Sequence, residues 1–242
     1  MHVRAVIFDM DGTILNTLDD LRDSINHALE KNGHRHDYPS GTVRSFFGSG
    51  AEVAVARALA LERGAAPGSL EKIGMPGDPT LQALRPEVQP VLAEFRRWYP
   101  AHCENLTRPY PGIPELLRTL RGRGMLVAVV SNKLDAAVQA LCQRHFSGLV
   151  DAALGEREPE IRRKPAPDMT CAALRALDTA QSEAVYVGDS EIDLLTAENA
   201  RLACVAVTWG FRDRAFLVAH GARHVADDAA ALERMLCSGL GG

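Results

Sequence analysis

Two aspartates, Asp9 and Asp11, stand two residues apart behind the apolar run Val6-Ile7-Phe8, and Gly12 and Thr13 follow at once. In open α/β sheets the ligand site lies beyond the carboxyl ends of the strands, which is where both carboxylates would sit. Gly12 permits the tight backbone turn such a placement needs. A second acidic group follows a second apolar run: residues 184–187 lead into Gly188-Asp189-Ser190-Glu191-Ile192-Asp193. Aspartate and serine also begin helices as ordinary caps. Capping does not explain why two acidic groups each follow an apolar run. Carboxylates converging on one sheet edge repel one another unless a cation lies among them, and a few hard oxygen ligands suit Mg²⁺, which keeps several waters.

Two weaker elements complete the set. Ser131-Asn132-Lys133 follows the apolar run 125–130 with a helix about to start. A hydroxyl, an amide and backbone N–H groups there can hold a phosphate, although Ser and Asn cap helices routinely. In Lys164-Pro165 the proline restricts the chain around the lysine. An ammonium at that point could neutralise phosphate oxygens and a carboxylate nucleophile, whereas a lone lysine is more often a solvated surface charge.

The elements that must position these residues follow from hydrophobic pattern. Runs 3–8, 125–130, 184–187 and 203–207 are apolar on both faces, as strands buried between helical layers are. Residues 149–154 and 224–225 are weaker strand candidates. Helical spacing fits 114–121, 134–144, 168–177 and 191–199. Helix alternating with strand predicts a parallel sheet with helices on both faces. Residues 17–104 break the alternation: Leu18, Leu21, Ile25, Ala28 and Leu29 share one helical face, 53–61 and 88–98 carry two more, and no good strand intervenes. The predicted organisation is α/β, with a core from 1–16 and 105–242 and an inserted all-helical cap over 17–104. The tail from Cys237 is expected to fray.

The order of the four elements resembles the haloacid dehalogenase-like superfamily, whose motifs run Asp-x-Asp, Ser, Lys-Pro and a late acidic pair over essentially the whole chain, which implies a Rossmann-like core with an inserted cap. That resemblance implies that Asp9 attacks phosphorus and becomes an aspartyl phosphate, while Asp11 protonates the leaving oxygen and then activates water. It implies Mg²⁺ held by the Asp9 side chain, the Asp11 backbone carbonyl and the Asp189 side chain. Asp193 would support the metal shell or orient Lys164, Ser131 and Asn132 would hold phosphoryl oxygens, and Lys164 would balance charge. Such a division suits a weak carboxylate nucleophile facing an anionic phosphate. Dehalogenating members fit poorly, since they generally lack the acid–base aspartate and do not use magnesium.

The stretch 42–50, with Arg44, Phe46, Phe47 and three glycines or serines behind them, is similar to the equivalent part of phosphoglycolate phosphatases, as are Pro111-Gly112 and Thr208-Trp209-Gly210-Phe211-Arg212. This implies 2-phosphoglycolate as substrate and Arg44 as a candidate contact to its carboxylate. Alternatives are a sugar-phosphate mutase, a pyrophosphatase or a broad small-metabolite phosphatase of the same superfamily, and, of a different class, a phosphate-binding regulator without turnover. Many relatives carry Asp-Ser shortly after the first motif where this chain has Asn16-Thr17.

Bulk composition agrees. A formal net charge of -4 gives no basic excess for nucleic acid or an anionic membrane. Five scattered cysteines without a C-x-x-C pair favour free thiols in a reducing cytosol over disulfides or zinc, so a cytoplasmic enzyme is expected, and the resemblance implies a small phosphorylated metabolite as its partner.

Overall fold

The strand-forming runs divide their residues between two apolar layers. Val6, Phe8, Val127, Val129, Val185 and Val187 enter one buried cluster. Their neighbours Ala5, Ile7, Ala128, Val130, Ala184 and Tyr186 enter another. Burial on both faces removes any polar alternation, which is why these segments read as continuous apolar runs.

The computed structural model describes residues 3–75, 77–157 and 160–239. The chain opens with strands β1 (Ala5–Phe8) and β2 (Leu15–Asn16). Four helices follow: α1 (Leu18–Lys31), α2 (Ser40–Val43), α3 (Ala51–Glu62) and α4 (Thr80–Trp98). Strand β3 (Arg108–Pro109) pairs antiparallel with β2 as the chain returns. The remainder alternates: α5 (Ile113–Gly122), β4 (Leu126–Leu134), α6 (Asp135–Phe146), β5 (Ala152–Glu156), α7 (Asp168–Ala176), β6 (Ala184–Gly188), α8 (Glu191–Asn199), β7 (Ala203–Val207), α9 (Arg214–Ala219), β8 (His224–Ala226) and α10 (Ala229–Ser238). Cys237 and Ser238, expected in a loose tail, instead finish α10, and residues 240–242 lie outside the described residues.

Two compact units result, 1–16 with 108–242 and 17–107. In the first, the sheet runs β5-β4-β1-β6-β7-β8, and every pairing is parallel. Leucines of α5, Val138 and Leu141 of α6, and Leu232 and Leu236 of α10 cover one face. Met169, Ala173 and Leu174 of α7 and Ala197 of α8 cover the other. Central β1 has β4 on one side and β6 on the other, so the ends of these three strands are neighbours. Strand β4 is longer than its apolar run predicts. It carries an irregularity between Val130 and Leu134, and Ser131, Asn132 and Lys133 lie within it rather than at a helix start.

The second unit is helical, with α1 and α3 both packed on α4. Helix α4 begins at Thr80 and runs through Pro86 and Pro90. Proline disfavours a helix interior, but Leu84, Val88, Val91, Leu92 and Phe95 bury one continuous stripe along it. Phe46 and Phe47 are buried against Tyr38 and Phe95 respectively. Arg57, fully buried, donates to the carbonyls of Phe46 at 3.1 Å and Ile73 at 3.2 Å and to Ser49 Oγ at 3.1 Å, bracing the 45–49 turn. Residues 106 and 107 stay with this unit because Asp20 accepts from both backbone N–H groups. Among the described residues no helix is long and apolar enough to cross a membrane.

Candidate active site

Asp9 leaves the end of β1 with its backbone N–H donating to Val187 O of β6 at 2.8 Å, so the neighbouring strand sets its position. Its carboxylate is buried, and Oδ1 accepts from Lys164 Nζ at 2.6 Å. The same ammonium donates to Asp193 Oδ1 at 2.7 Å and to Tyr186 Oη at 3.3 Å. Lys164 is only 3% exposed, so its charge is balanced inside the protein rather than by water. Burial alone would lower its pKa, but Asp193 and Asp9 outweigh that and hold it well above the ordinary lysine range.

The lysine is itself held from behind. Asn132 Oδ1 accepts from Lys164 N at 2.7 Å, and Asn132 Nδ2 donates to Lys164 O at 3.1 Å. The Asn132 side chain is therefore committed to the backbone of Lys164. Ser131 Oγ lies 3.4 Å from Asp11 Oδ2 and accepts from Lys133 N at 3.2 Å.

Asp193 serves two ends at once. Its Oδ2 closes a capping box at the start of α8, accepting from Ser190 N at 3.1 Å and Ser190 Oγ at 2.6 Å, while Oδ1 faces Lys164. Helix capping and a place in the acidic centre coexist in one side chain. Asp189, two residues beyond β6's last valine, accepts from Thr13 Oγ1 at 3.2 Å and from Phe211 N at 2.5 Å.

Oxygens of Asp9, Asp189 and Asp193 all lie within 4.8 Å of one another. Burial, then mutual repulsion, pushes Asp9 well above the carboxylate range in spite of Lys164. Burial and Asp193 raise Asp189 to about 7. Three buried carboxylates around one ammonium are short of positive charge, and hard oxygen donors fit a divalent cation such as Mg²⁺. The side chain of Asp11 stands outside this trio, with Oδ1 3.0 Å from Lys133 Nζ. Arg44 follows α2 as an exposed residue of the helical unit.

Several residues that sequence reasoning did not single out complete the centre. Thr13, Lys133 and Tyr186 sit inside runs that draw attention to other members. The 208–212 segment, noticeable only as a resemblance, proves to wrap the acidic centre. Trp209 Nε1 donates to Thr13 O at 3.0 Å, and Arg212 pairs with buried Glu191 through Nε at 3.0 Å and Nη2 at 3.2 Å. Gly12 has φ +91°, and a Cβ on Gly12 or on Gly210 would strike the Asp189 carboxylate. Replacing Gly210 by alanine should displace that carboxylate, lowering kcat/KM roughly 10- to 100-fold with a stability loss of about 1–3 kcal/mol; unchanged kinetics would show the close approach to be irrelevant.

Together the fold and these residues define an open α/β enzyme with a buried acidic centre at the ends of β1 and β6. Residues 6–207 match the model of the haloacid dehalogenase-like hydrolase family. The chain is 31% identical over 236 residues to phosphoglycolate phosphatase 1 of Pseudomonas aeruginosa, covering 95% of this chain and 75% of that one. It is also 31% identical over 211 residues to N-acetylmuramic acid 6-phosphate phosphatase of the same species, covering 87% and 84%. A crystal structure of a candidate phosphoglycolate phosphatase from Lactobacillus delbrueckii subsp. bulgaricus superposes with a TM-score of 0.94 at 47% identity, covering 98% and 99%. The chain belongs to the haloacid dehalogenase-like hydrolase family. Within it, the protein is a phosphatase, a phosphoric monoester hydrolase.

Proposed function

We propose that this phosphatase works by two displacements at phosphorus with Asp9 as nucleophile, and that 2-phosphoglycolate is its substrate. The observation that carries the mechanism is Lys164 Nζ, buried between Asp9 Oδ1 and Asp193 Oδ1 at 2.6 and 2.7 Å. An ammonium so placed orients the nucleophile and offsets the charge of an arriving phosphate. In the first displacement an Asp9 oxygen bonds to phosphorus, the ester P–O bond breaks, and the leaving oxygen takes a proton from Asp11. In the second, Asp11 removes a proton from water, the resulting hydroxide attacks phosphorus, and inorganic phosphate leaves with Asp9 restored as a carboxylate. Ser131 Oγ and the N–H of Asn132 are the proposed phosphoryl contacts.

Asp9 and Asp189, with the Asp11 backbone carbonyl and support from Asp193, are the proposed holders of Mg²⁺. The ion would supply positive charge that lets an anionic ester approach a carboxylate. Its binding should be proton-linked. Asp189, held near 7, takes up a proton as the pH falls through that value, Asp9 is raised as well, and a cation must displace any proton they hold. Apparent Mg²⁺ affinity should therefore drop about fivefold from pH 7 to pH 6 through Asp189 alone, since half of that site is already protonated at pH 7. Calorimetry in two buffers of different ionisation enthalpy reads that proton release directly; an affinity independent of pH would count against this ligand set.

Substrate choice rests on the resemblance to phosphoglycolate phosphatases, and the 31% identity to a sugar-phosphate enzyme shows that likeness at this level spans different leaving groups. Residues 17–107 are the proposed specificity unit, with Arg44 put forward as a carboxylate contact. All five cysteines are free thiols, which supports a reducing, cytoplasmic setting. A phosphate-release screen with Mg²⁺ and with chelator, spanning 2-phosphoglycolate, sugar phosphates including N-acetylmuramic acid 6-phosphate, and pyrophosphate, tests the reading. Good turnover of other esters with none of phosphoglycolate would remove it, and isomerised sugar without free phosphate would make the enzyme a mutase.

A further inference from the structure

Lys133 is a second buried ammonium in the same unit, and nothing in the two displacements uses it. Its side chain is 4% exposed, and Nζ lies 3.0 Å from Asp11 Oδ1. Lys133 N donates to Ser131 Oγ, which in turn lies 3.4 Å from Asp11 Oδ2, so the three residues close a compact triangle at the irregular end of β4. Lys164 is engaged elsewhere, with Asp9, Tyr186 and Asp193. The two lysines thus divide the centre: one stands at the nucleophile, the other at the acid–base aspartate.

We propose that Lys133 recognises an anionic group on the leaving half of the substrate, so that the sheet unit itself selects phosphate esters of 2-hydroxy acids. The inference rests on the reading of Asp11 as the acid that protonates the leaving oxygen. Whatever lies beside Asp11 then lies beside the first atoms of the leaving group. In an ester of a 2-hydroxy acid the carboxylate is two carbons from that oxygen, within about 4 Å by ordinary bond lengths. An ammonium 3.0 Å from the Asp11 carboxylate is within reach of such a group.

The test compares 2-phosphoglycolate with 2-hydroxyethyl phosphate, which keeps the two-carbon skeleton and replaces the carboxylate by a hydroxymethyl group. The readout is the ratio of the two kcat/KM values, in wild type, Lys133→Met and Lys133→Arg. Wild type should favour the acidic ester, Lys133→Met should shrink that ratio about 10- to 100-fold, and Lys133→Arg should keep most of it. Where Lys133→Met fails to fold by circular dichroism, Lys133→Gln carries the same comparison. Equal losses on both esters, leaving the ratio unchanged, would overturn the proposal and reduce Lys133 to a positioning residue for Asp11. A wild type indifferent to the carboxylate would overturn it too. The substrate reading fails separately: a preference for 2-phospholactate with no turnover of phosphoglycolate, abolished in Lys133→Met, would sink that reading and uphold the role of Lys133.

Discussion

Asp9→Asn should lose turnover on every substrate by roughly 10⁴-fold or more, because the amide cannot form the proposed phosphorylated intermediate. Folding should survive, and in chelator the variant should melt no earlier than wild type. Asp9 is buried beside Asp11, Asp189 and Asp193, and burial with that repulsion already pushes its carboxyl well above the ordinary range. A neutral side chain of the same shape relieves the crowding, while Lys164 keeps Asp193 at 2.7 Å and Tyr186 at 3.3 Å. Phosphate release and thermal unfolding, measured on one preparation, decide it. Residual activity above about 1% of wild type would mean that another group attacks phosphorus.

Lys164→Met should be as inactive but clearly less stable. Its removal strips two buried carboxylates, Asp9 and Asp193, of their shared counter-charge. Breaking a buried ion pair from one side costs about 3–5 kcal/mol, and in a chain of this length that corresponds to a fall of roughly 10 °C in Tm. The deficit should depend on pH in a defined direction. A carboxyl whose folded pKa is raised gives its full stability below its unfolded value and loses it as pH rises through the folded value. Asp9 and Asp189 are both raised, Asp189 to about 7. The variant should therefore lie closer to wild type at pH 5 than at pH 8. Equal Tm values at pH 8 in chelator would show that the ammonium does not hold the centre together. The two variants share one expected kinetic defect and differ in stability, which separates loss of the proposed nucleophile from loss of the charge that restrains it.

Much of the sheet unit was legible because its determinants are local. Burial on both faces leaves a strand no polar positions, so 203–207 and most of 184–188 were readable from apolar content alone. Helix α8 matches its predicted bounds because Ser190 and Asp193 carry the capping box in the sequence itself. Other boundaries moved for tertiary reasons. Strand β4 extends to Leu134 because pairing with β5 resumes at Glu156 after the irregularity. Helix α4 tolerates two prolines because α1 and α3 bury its apolar stripe.

The amino-acid sequence by itself determined which chemical groups are available, that Asp9 and Asp189 stand just beyond strand ends and that Asp193 lies in the first turn of the helix that follows. It did so through hydrophobic runs and turn residues acting over a few positions. Only the tertiary structure decided who meets whom: Asn132 with the backbone of Lys164, Lys133 with Asp11, Phe211 N–H with Asp189, Glu191 with Arg212. Those partnerships depend on the sheet order that sets β1 between β4 and β6, and that order arises from long crossovers packing whole helices on the sheet. No short stretch of residues encodes it, so pairings between side chains far apart along the chain exist only once the layers have closed around them.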